Sequence, residues 1–223
     1  MKLNDIATIR TGLVLSRKKA ALDDLEQYHY KQITLKSFSN SITLQSNYFD
    51  NFVSVETIDD KYLSQVGDII VRLREPNTAV YIDEESAGLV VPSLFAIVRV
   101  NESTVNNTFL AYYLNSMEVK KVLERELKGT TIPMIKTKDL GELTLHLPPL
   151  NVQQNIVDLM VLSEKEITLL ESLKEEKQRY SQAILNNIIQ QEGAGTLSKC
   201  IPLGAVPYTD GIEIPTPSIK GKH

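Results

Sequence analysis

The chain has 223 residues, of which 42% are hydrophobic and 23% charged, and its formal net charge at pH 7 is −4. This composition is typical of a globular protein and excludes a disordered chain. No apolar run approaches the roughly 20 residues that a membrane-spanning helix needs, and the N-terminus lacks the apolar stretch of a signal peptide. We therefore expect a cytoplasmic protein without a membrane partner. The single cysteine, Cys200, excludes an internal disulfide framework and a cysteine-based zinc site within one chain.

The charge distribution allows only a local surface for nucleic acid. Domains that bind DNA unaided are usually basic, whereas this chain is net negative. Residues 1–40 nevertheless hold 7 basic against 4 acidic side chains, and Arg17, Lys18 and Lys19 are adjacent there. A DNA surface on this chain would be confined to such clusters, and it would be weak if the chain acted alone.

The first 150 residues predict a mixed α/β domain. Short runs rich in Val, Ile, Tyr and Phe are separated by turn residues, which is the pattern of strands. The predicted strands are 6–10, 30–35, 68–73, 79–82, 88–91 and 94–100.

One predicted strand carries two arginines where it ends. After an apolar run the pattern alternates, so that Arg72 and Arg74 point away from the core on either side of Leu73. Arginines placed at the end of a buried strand, beside a loop, can reach a ligand. They can equally be solvated edge charges that pair with Glu75 or Asp68.

A helix is predicted over 107–127, and a loop suited to phosphate and sugar contacts follows it. Apolar residues recur at helical spacing in this segment, Asn107 can cap it, and Gly129 ends it. The loop offers hydroxyls and cations, which backbone contacts to DNA require. These side chains belong to Thr130, Thr131, Lys136 and Lys138. The alternative is an ordinary helix end followed by a surface loop.

Residues 151–191 predict one long helix. Pro148 and Pro149 oppose helix before it, and Asn151 with Gln154 predicts a capping-box-like start. From Gln153 to Gln190 the helix would be roughly 57 Å long. A helix of this length exceeds a domain of this size, so we expect it to pack along a partner.

Large apolar side chains recur along this helix in steps of three and four residues, which predicts a coiled coil. Glu166 and Lys177 interrupt the pattern. A parallel homodimer would oppose like charges at both positions, whereas an antiparallel one can bring Glu166 toward Lys177. A further alternative is that the apolar face packs back on its own domain. The apolar stripe, as we call it, consists of Leu159, Leu162, Leu169, Leu170, Leu173, Tyr180, Ile184 and Ile188.

Four segments in order resemble the specificity (S) subunits of type I restriction–modification systems. They read KLNDIATIRTG, YLSQVGDIIVRLR, GTTIPMIKTKDL and LHLPPLNVQQNIV, and the resemblance covers residues 2–191. Asn4 stands where the family usually has Gly, and Arg72-Leu73-Arg74 replaces small or polar residues. The family typically has two recognition domains and two helices, so this chain resembles a half-length form. Residues 192–223 would be either the start of a truncated second recognition domain or a proline-rich disordered end.

The resemblance implies a subunit that reads DNA and does no chemistry. It would scaffold DNA adenine methyltransferase (modification) subunits, which use S-adenosylmethionine, and restriction subunits, while this chain holds no cofactor. No phosphate loop, Gly-x-Gly-x-x-Gly turn or Asn/Asp-Pro-Pro-Tyr/Phe run is present in the sequence. The histidines at 29, 146 and 223 are scattered, so we expect no metal site. We interpret His146 as a structural residue of an alternating strand.

The family's two helices pack antiparallel, which implies an antiparallel homodimer here, or pairing with a second S-like chain. Such a dimer would read an interrupted inverted repeat. We assign base reading to the loops near Arg72, Arg74, Thr130, Thr131 and Lys136, and DNA-backbone contacts to Arg17, Lys18 and Lys19. The rival hypothesis is a coiled-coil adaptor or regulator of a restriction system that binds proteins without reading DNA.

Overall fold

The structure, a computed structural model, describes residues 1–21, 27–39, 41–74, 78–101, 103, 105–127 and 134–193. The chain divides into two units, Met1–Leu169 and Leu170–His223. The first unit is a mixed α/β domain that continues into a long helix, as the sequence predicts. The first of the two units therefore ends within that helix.

A four-stranded antiparallel sheet forms the centre of the domain. Its strands are β1 (Ala7–Thr11), β4 (Ile69–Arg72), β5 (Ala79–Tyr81) and β6 (Phe95–Val100), in the order β1-β6-β4-β5. A separate two-stranded ribbon pairs β2 (Tyr28–Gln32) with β3 (Asp50–Ser54). Short 3-10 helices lie between the strands, at Leu15–Arg17, Leu35–Ser37, Ser46–Tyr48 and Asp60–Tyr62.

Both faces of the sheet are covered, because alternate residues of the central strands point to opposite sides. One face carries Ile69, Val71 and Val98 and packs against the helices α1 (Leu3–Ile6), α2 (Asn107–Leu114), α3 (Met117–Leu127) and α4 (Thr137–Gly141). The other face carries Ile70 and Ile97, with Ile33 among the residues that cover it. Continuous apolar runs in β4 and β6 follow from this double burial.

The predicted helix 107–127 is interrupted. Asn115 and Ser116 separate α2 from α3, because the Asn115 amide is used by a neighbouring strand. Its Oδ1 accepts the Ala79 N–H at 2.9 Å, and its Nδ2 donates to the Ala79 carbonyl at 2.7 Å. The hydrogen bonds between this side chain and the outer backbone edge of β5 thus break a helix that the spacing of apolar residues alone would continue.

Two further predictions of strands are wrong, and one strand of the structure was not predicted. Residues 88–91 form no strand, because Val90 makes only isolated bridges to Gln32 and Leu63. Strand β3 was not predicted, since its first two residues are polar. The segment around His146 alternates in burial, with Leu145 buried and His146 exposed, but its only bridge among described residues joins Thr144 to Lys2.

The long helix α5 spans Leu150–Gly193 and has 44 residues, which corresponds to about 66 Å. The predicted cap is wrong, because the helix already begins at Leu150 and Asn151 lies within its first turn. Gln154 bonds to Asn106 and Asp158 instead. Gln153 is buried and accepts the Asn106 N–H at 2.8 Å, which fixes the start of α5 to α2.

Candidate nucleic-acid interface

Loops from several strands leave the sheet at the same end. The register pairs Thr11 with Ala96 and Arg72 with Phe95, so β1 and β4 both end where β6 begins. Gly12 continues from β1 against the Val91 and Pro92 carbonyls, where a Cβ atom would overlap both oxygens. We call this the basic end and define it as residues 11–19, 72–74 and 134–136.

Arg72 is the last residue of β4 and lies at the basic end. Its side chain is half-buried, and its Nε is shielded from solvent without a hydrogen-bond partner among the described residues. A buried guanidinium N–H that is left unpaired costs free energy, so such an atom needs an explanation. A ligand that accepts a hydrogen bond at this position would supply the missing partner.

Arg74 and Lys136 join Arg72 at the same place. Arg74 is exposed and bridges to Met134, and the Ile135 N–H bonds to the Leu73 carbonyl. The chain therefore returns beside β4 just before Lys136, which is exposed. Lys138 is exposed on α4, two residues further on.

Thr130 and Thr131, which we predicted to take part, lie outside the described residues. The predicted alternation around Leu73 is confirmed, since Leu73 is buried. The alternative that these arginines pair with Asp68 is wrong, because Asp68 binds Arg99 with both oxygens at 2.7 Å at the opposite end of the sheet. Glu75 lies outside the described residues.

The three adjacent cations Arg17, Lys18 and Lys19 follow β1 into the basic end. Their segment is fixed to the outer edge of β3, where Lys19 bridges to Ser54. Arg17 and Lys19 are exposed, but Lys18 is half-buried and forms an ion pair with Glu56. Within the described ranges, Lys18 is the only one of the three that is ion-paired, so Arg17 and Lys19 are the better candidates for phosphate contacts.

A groove of about 600 Å³ adjoins the basic end. The polar residues among those that line it are Ser16, Lys19, Gln27, Gln32 and Asn51. Gln32 is half-buried, and its Oε1 is shielded from solvent and has no hydrogen-bond partner in the described ranges. Among described residues, three buried side-chain atoms are unpaired in this way, and two of them belong to Arg72 and Gln32.

Sequence reasoning missed this amide cluster. Gln27 and Gln32 are five residues apart, whereas Asn51 comes near them only because β2 pairs with β3, which sets Asn51 opposite Lys31. A predicted β3 would have placed Asn51 beside β2, but the polar first residues of β3 do not have the pattern of a strand.

The third unpaired atom, the Tyr112 hydroxyl, lies in a second cavity of about 790 Å³ between α2 and the first turns of α5. Burial, and after it the nearby Glu164 carboxylate, raise the pKa of Tyr112, although no acceptor among the residues that the structure describes meets hydrogen-bond geometry at its oxygen. The Ser41 hydroxyl donates to Glu164 Oε2 at 3.1 Å. Tyr112 therefore remains a neutral phenol that can donate a hydrogen bond.

All eight residues of the apolar stripe are exposed on α5, from 40% for Ile184 to 70% for Leu169. From residue 165 to residue 190 every side chain of this helix is exposed. Exposed apolar side chains in continuous array mark interaction surfaces. The stripe is thus available to a partner, while the pairing itself stays a prediction.

The described residues offer neither a metal-binding cluster nor a membrane-spanning helix. No cluster of three or more His, Cys, Asp or Glu side chains in these ranges could hold a metal ion. None of the helices described for this chain combines the length and apolarity that crossing a membrane would take.

The family model for the type I restriction modification DNA specificity domain matches residues 1–178. The chain belongs to this family. The match confirms the resemblance that the four motifs indicate. It also covers the sheet, the basic end and the first part of α5, so the features described above lie within the specificity domain.

Two solved structures share the fold of this specificity domain. One, from work on complex assembly and conformational transition of the type I R-M system, has a TM-score of 0.64 and 15% identity over 92% of this chain and 51% of that chain. The HsdS subunit from Thermoanaerobacter tengcongensis has a TM-score of 0.60 and 13% identity over 84% of this chain and 47% of its own. The chain spans about half the length of the solved chains it matches.

Proposed function

We propose that this chain is the DNA-reading subunit of a type I restriction–modification complex and does no chemistry itself. The observation that carries the proposal is Arg72, whose buried Nε has no hydrogen-bond partner among the described residues and which lies among exposed cations at one end of a specificity-domain sheet. Guanidinium groups bind guanine O6 and N7 in pairs of hydrogen bonds, and one such contact discriminates by about 1–3 kcal/mol.

The cations divide by their surroundings into two roles. Arg72 is held by the strand that it ends, which suits a contact needing fixed geometry. Arg74, Lys136, Arg17 and Lys19 are exposed, which suits phosphates that accept a cation from many directions. The net charge of −4 opposes strong binding by the isolated chain, so we expect the modification subunits to supply much of the DNA contact.

An antiparallel homodimer would contain two identical recognition domains, where the full-length family members have two domains in one chain. Placing Glu166 opposite Lys177 also places Leu159 opposite Ile184 and Leu170 opposite Leu173. The same register sets Glu164 opposite Arg179, so four charged positions of each helix meet an unlike charge. Two domains held at the ends of such a pair would read an interrupted inverted repeat whose spacing depends on helix length. A second S-like chain could take the partner's place.

The remaining partners follow from the family. Modification subunits would hold S-adenosylmethionine and methylate adenine, and restriction subunits would join the same complex. This chain would supply only the recognition domain and the helix on which these subunits assemble. We expect the complex to work in the cytoplasm.

Methylation mapping tests the proposal. A host that carries this chain with its modification partner should acquire adenine methylation at one bipartite sequence, and the partner alone should give none. Arg72→Ala should relax the preference at one position of each half-site. Arg125→Ala, an exposed arginine on α3 that lies outside the basic end and outside α5, is the matched control and should leave the sequence unchanged.

Methylation that is independent of this chain would contradict the proposal. Failure of the chain to shift any DNA with modification subunits present would instead favour an adaptor that binds only proteins.

A further inference from the structure

The groove beside the basic end has the composition of a base-reading site rather than a phosphate site. The residues that line it include two glutamines, Gln27 and Gln32, and one cation, Lys19. Amides both donate and accept hydrogen bonds, whereas phosphate oxygens only accept. A surface made for phosphate would need donors alone, so the amide carbonyls point to a ligand that also donates.

Gln32 is the groove residue whose side-chain amide has an unused hydrogen-bond acceptor among the described residues. Its Oε1 is buried and has no donor in the part of the chain that the structure describes, although a buried acceptor left unpaired is destabilising. The terminal torsion of a glutamine is broad and roughly two-fold, so rotation about it can turn either half of the amide toward the groove. A ligand that presents an N–H group there would pair the oxygen.

Adenine is the base that uses both halves of such an amide. In the major groove it offers an N6 donor next to the N7 acceptor, which glutamine binds in a bidentate manner. Cytosine offers only a donor on that side, and guanine offers two acceptors. A phosphate cannot pair with the glutamine oxygen at all.

The rest of the groove fits the adenine–thymine pair. Leu15 and Val53 are half-buried in its wall, and apolar side chains suit the thymine methyl group. Lys19 is exposed at the rim, in position for the adjoining phosphate. The segment from Leu15 to Lys19 belongs to both the groove and the basic end, so one DNA duplex can contact both.

We propose that the groove on the β2–β3 ribbon reads an adenine–thymine pair of the target, with Gln32 as the residue that specifies adenine. This inference rests on the proposed DNA-reading function and adds a second base contact to that of Arg72.

The test compares Gln32→Leu with Gln65→Leu in the complex with modification subunits. Gln65 is exposed near Asp68, at the opposite end of the sheet, so it is a matched control. Gln32→Leu should lose about tenfold or more discrimination at one A·T position while keeping the rest of the sequence. Gln65→Leu should keep all positions.

A second measurement uses the unaltered protein and does not depend on how the variant folds. Replacing the read adenine by 7-deazaadenine removes the N7 acceptor and should weaken binding of the wild-type complex about tenfold. The Gln32→Leu complex should be insensitive to that replacement. Replacement at neighbouring adenines should have no such dependence on Gln32.

Two outcomes would overturn the inference. In the first, Gln32→Leu keeps the full target preference, and 7-deazaadenine has the same effect with and without the glutamine. In the second, Gln32→Leu weakens binding to all sequences equally. Either result leaves the DNA-reading function intact, provided that the wild-type complex methylates one sequence. Absence of any sequence preference in the wild type would reject both proposals.

Discussion

Substitution of a central stripe leucine should dissociate the helix pair to a measurable degree. Leu170 is 57% exposed and would face Leu173, which is 52% exposed, in the antiparallel register. Complete burial of a leucine contributes about 1.5–3 kcal/mol, so removing the exposed half from water contributes about 1–1.5 kcal/mol. Two-fold symmetry places the substitution twice in each dimer. Leu170→Ala should therefore destabilise the dimer by about 2–3 kcal/mol.

At 25 °C this loss corresponds to a rise in the dimer Kd of about 30- to 150-fold. Sedimentation equilibrium over a range of concentrations measures that constant directly. Leu35→Ala is a matched control, because Leu35 is an exposed leucine of the recognition domain that lies outside the stripe. An unchanged Kd for Leu170→Ala, or an equal rise for Leu35→Ala, would show that the stripe is not the interface.

Three other experiments test separate parts of the structure. Glu166→Lys should weaken the dimer, because antiparallel pairing sets residue 166 against Lys177 of the other helix. Adding Lys177→Glu should restore the dimer. Sedimentation that finds no restoration of the dimer argues for a parallel arrangement. Lys19→Ala should weaken binding to all DNA sequences alike, and the salt dependence of binding should fall by about one phosphate contact. Lys18→Ala should have less effect, because Glu56 already neutralises the Lys18 side chain. Asp68→Asn should lower the free energy of unfolding in urea by about 2–4 kcal/mol, since it leaves a partly buried guanidinium without its carboxylate; a change below 1 kcal/mol would contradict that account.

The strands and helices with strong local signals could be predicted from the sequence. The apolar runs of β4 and β6 are buried on both faces, and two prolines followed by more than forty residues without proline specify α5 closely. The position of Arg72 at the end of β4 followed from the same alternation. These features depend on residues that are close together in the sequence, so the sequence pattern is enough to predict them.

Features that depend on distant partners could not be predicted in this way. The break at Asn115 exists because its amide pairs with Ala79, 36 residues earlier in the chain. The groove exists because β3 pairs with β2, although Asp50 and Asn51 do not have the composition of a strand. The ion pair of Lys18 likewise requires Glu56, which only the fold brings near.

The same Asn115 amide also protects the sheet from unwanted association. An edge strand with free N–H and C=O groups is a template on which a foreign strand can add, and this is a route to aggregation. At β5, Asn115 occupies both outward groups of Ala79, and the Ile42 carbonyl accepts the next outward N–H, that of Tyr81, at 2.7 Å. Along this edge, strand addition is blocked by the protein's own side chain and loop.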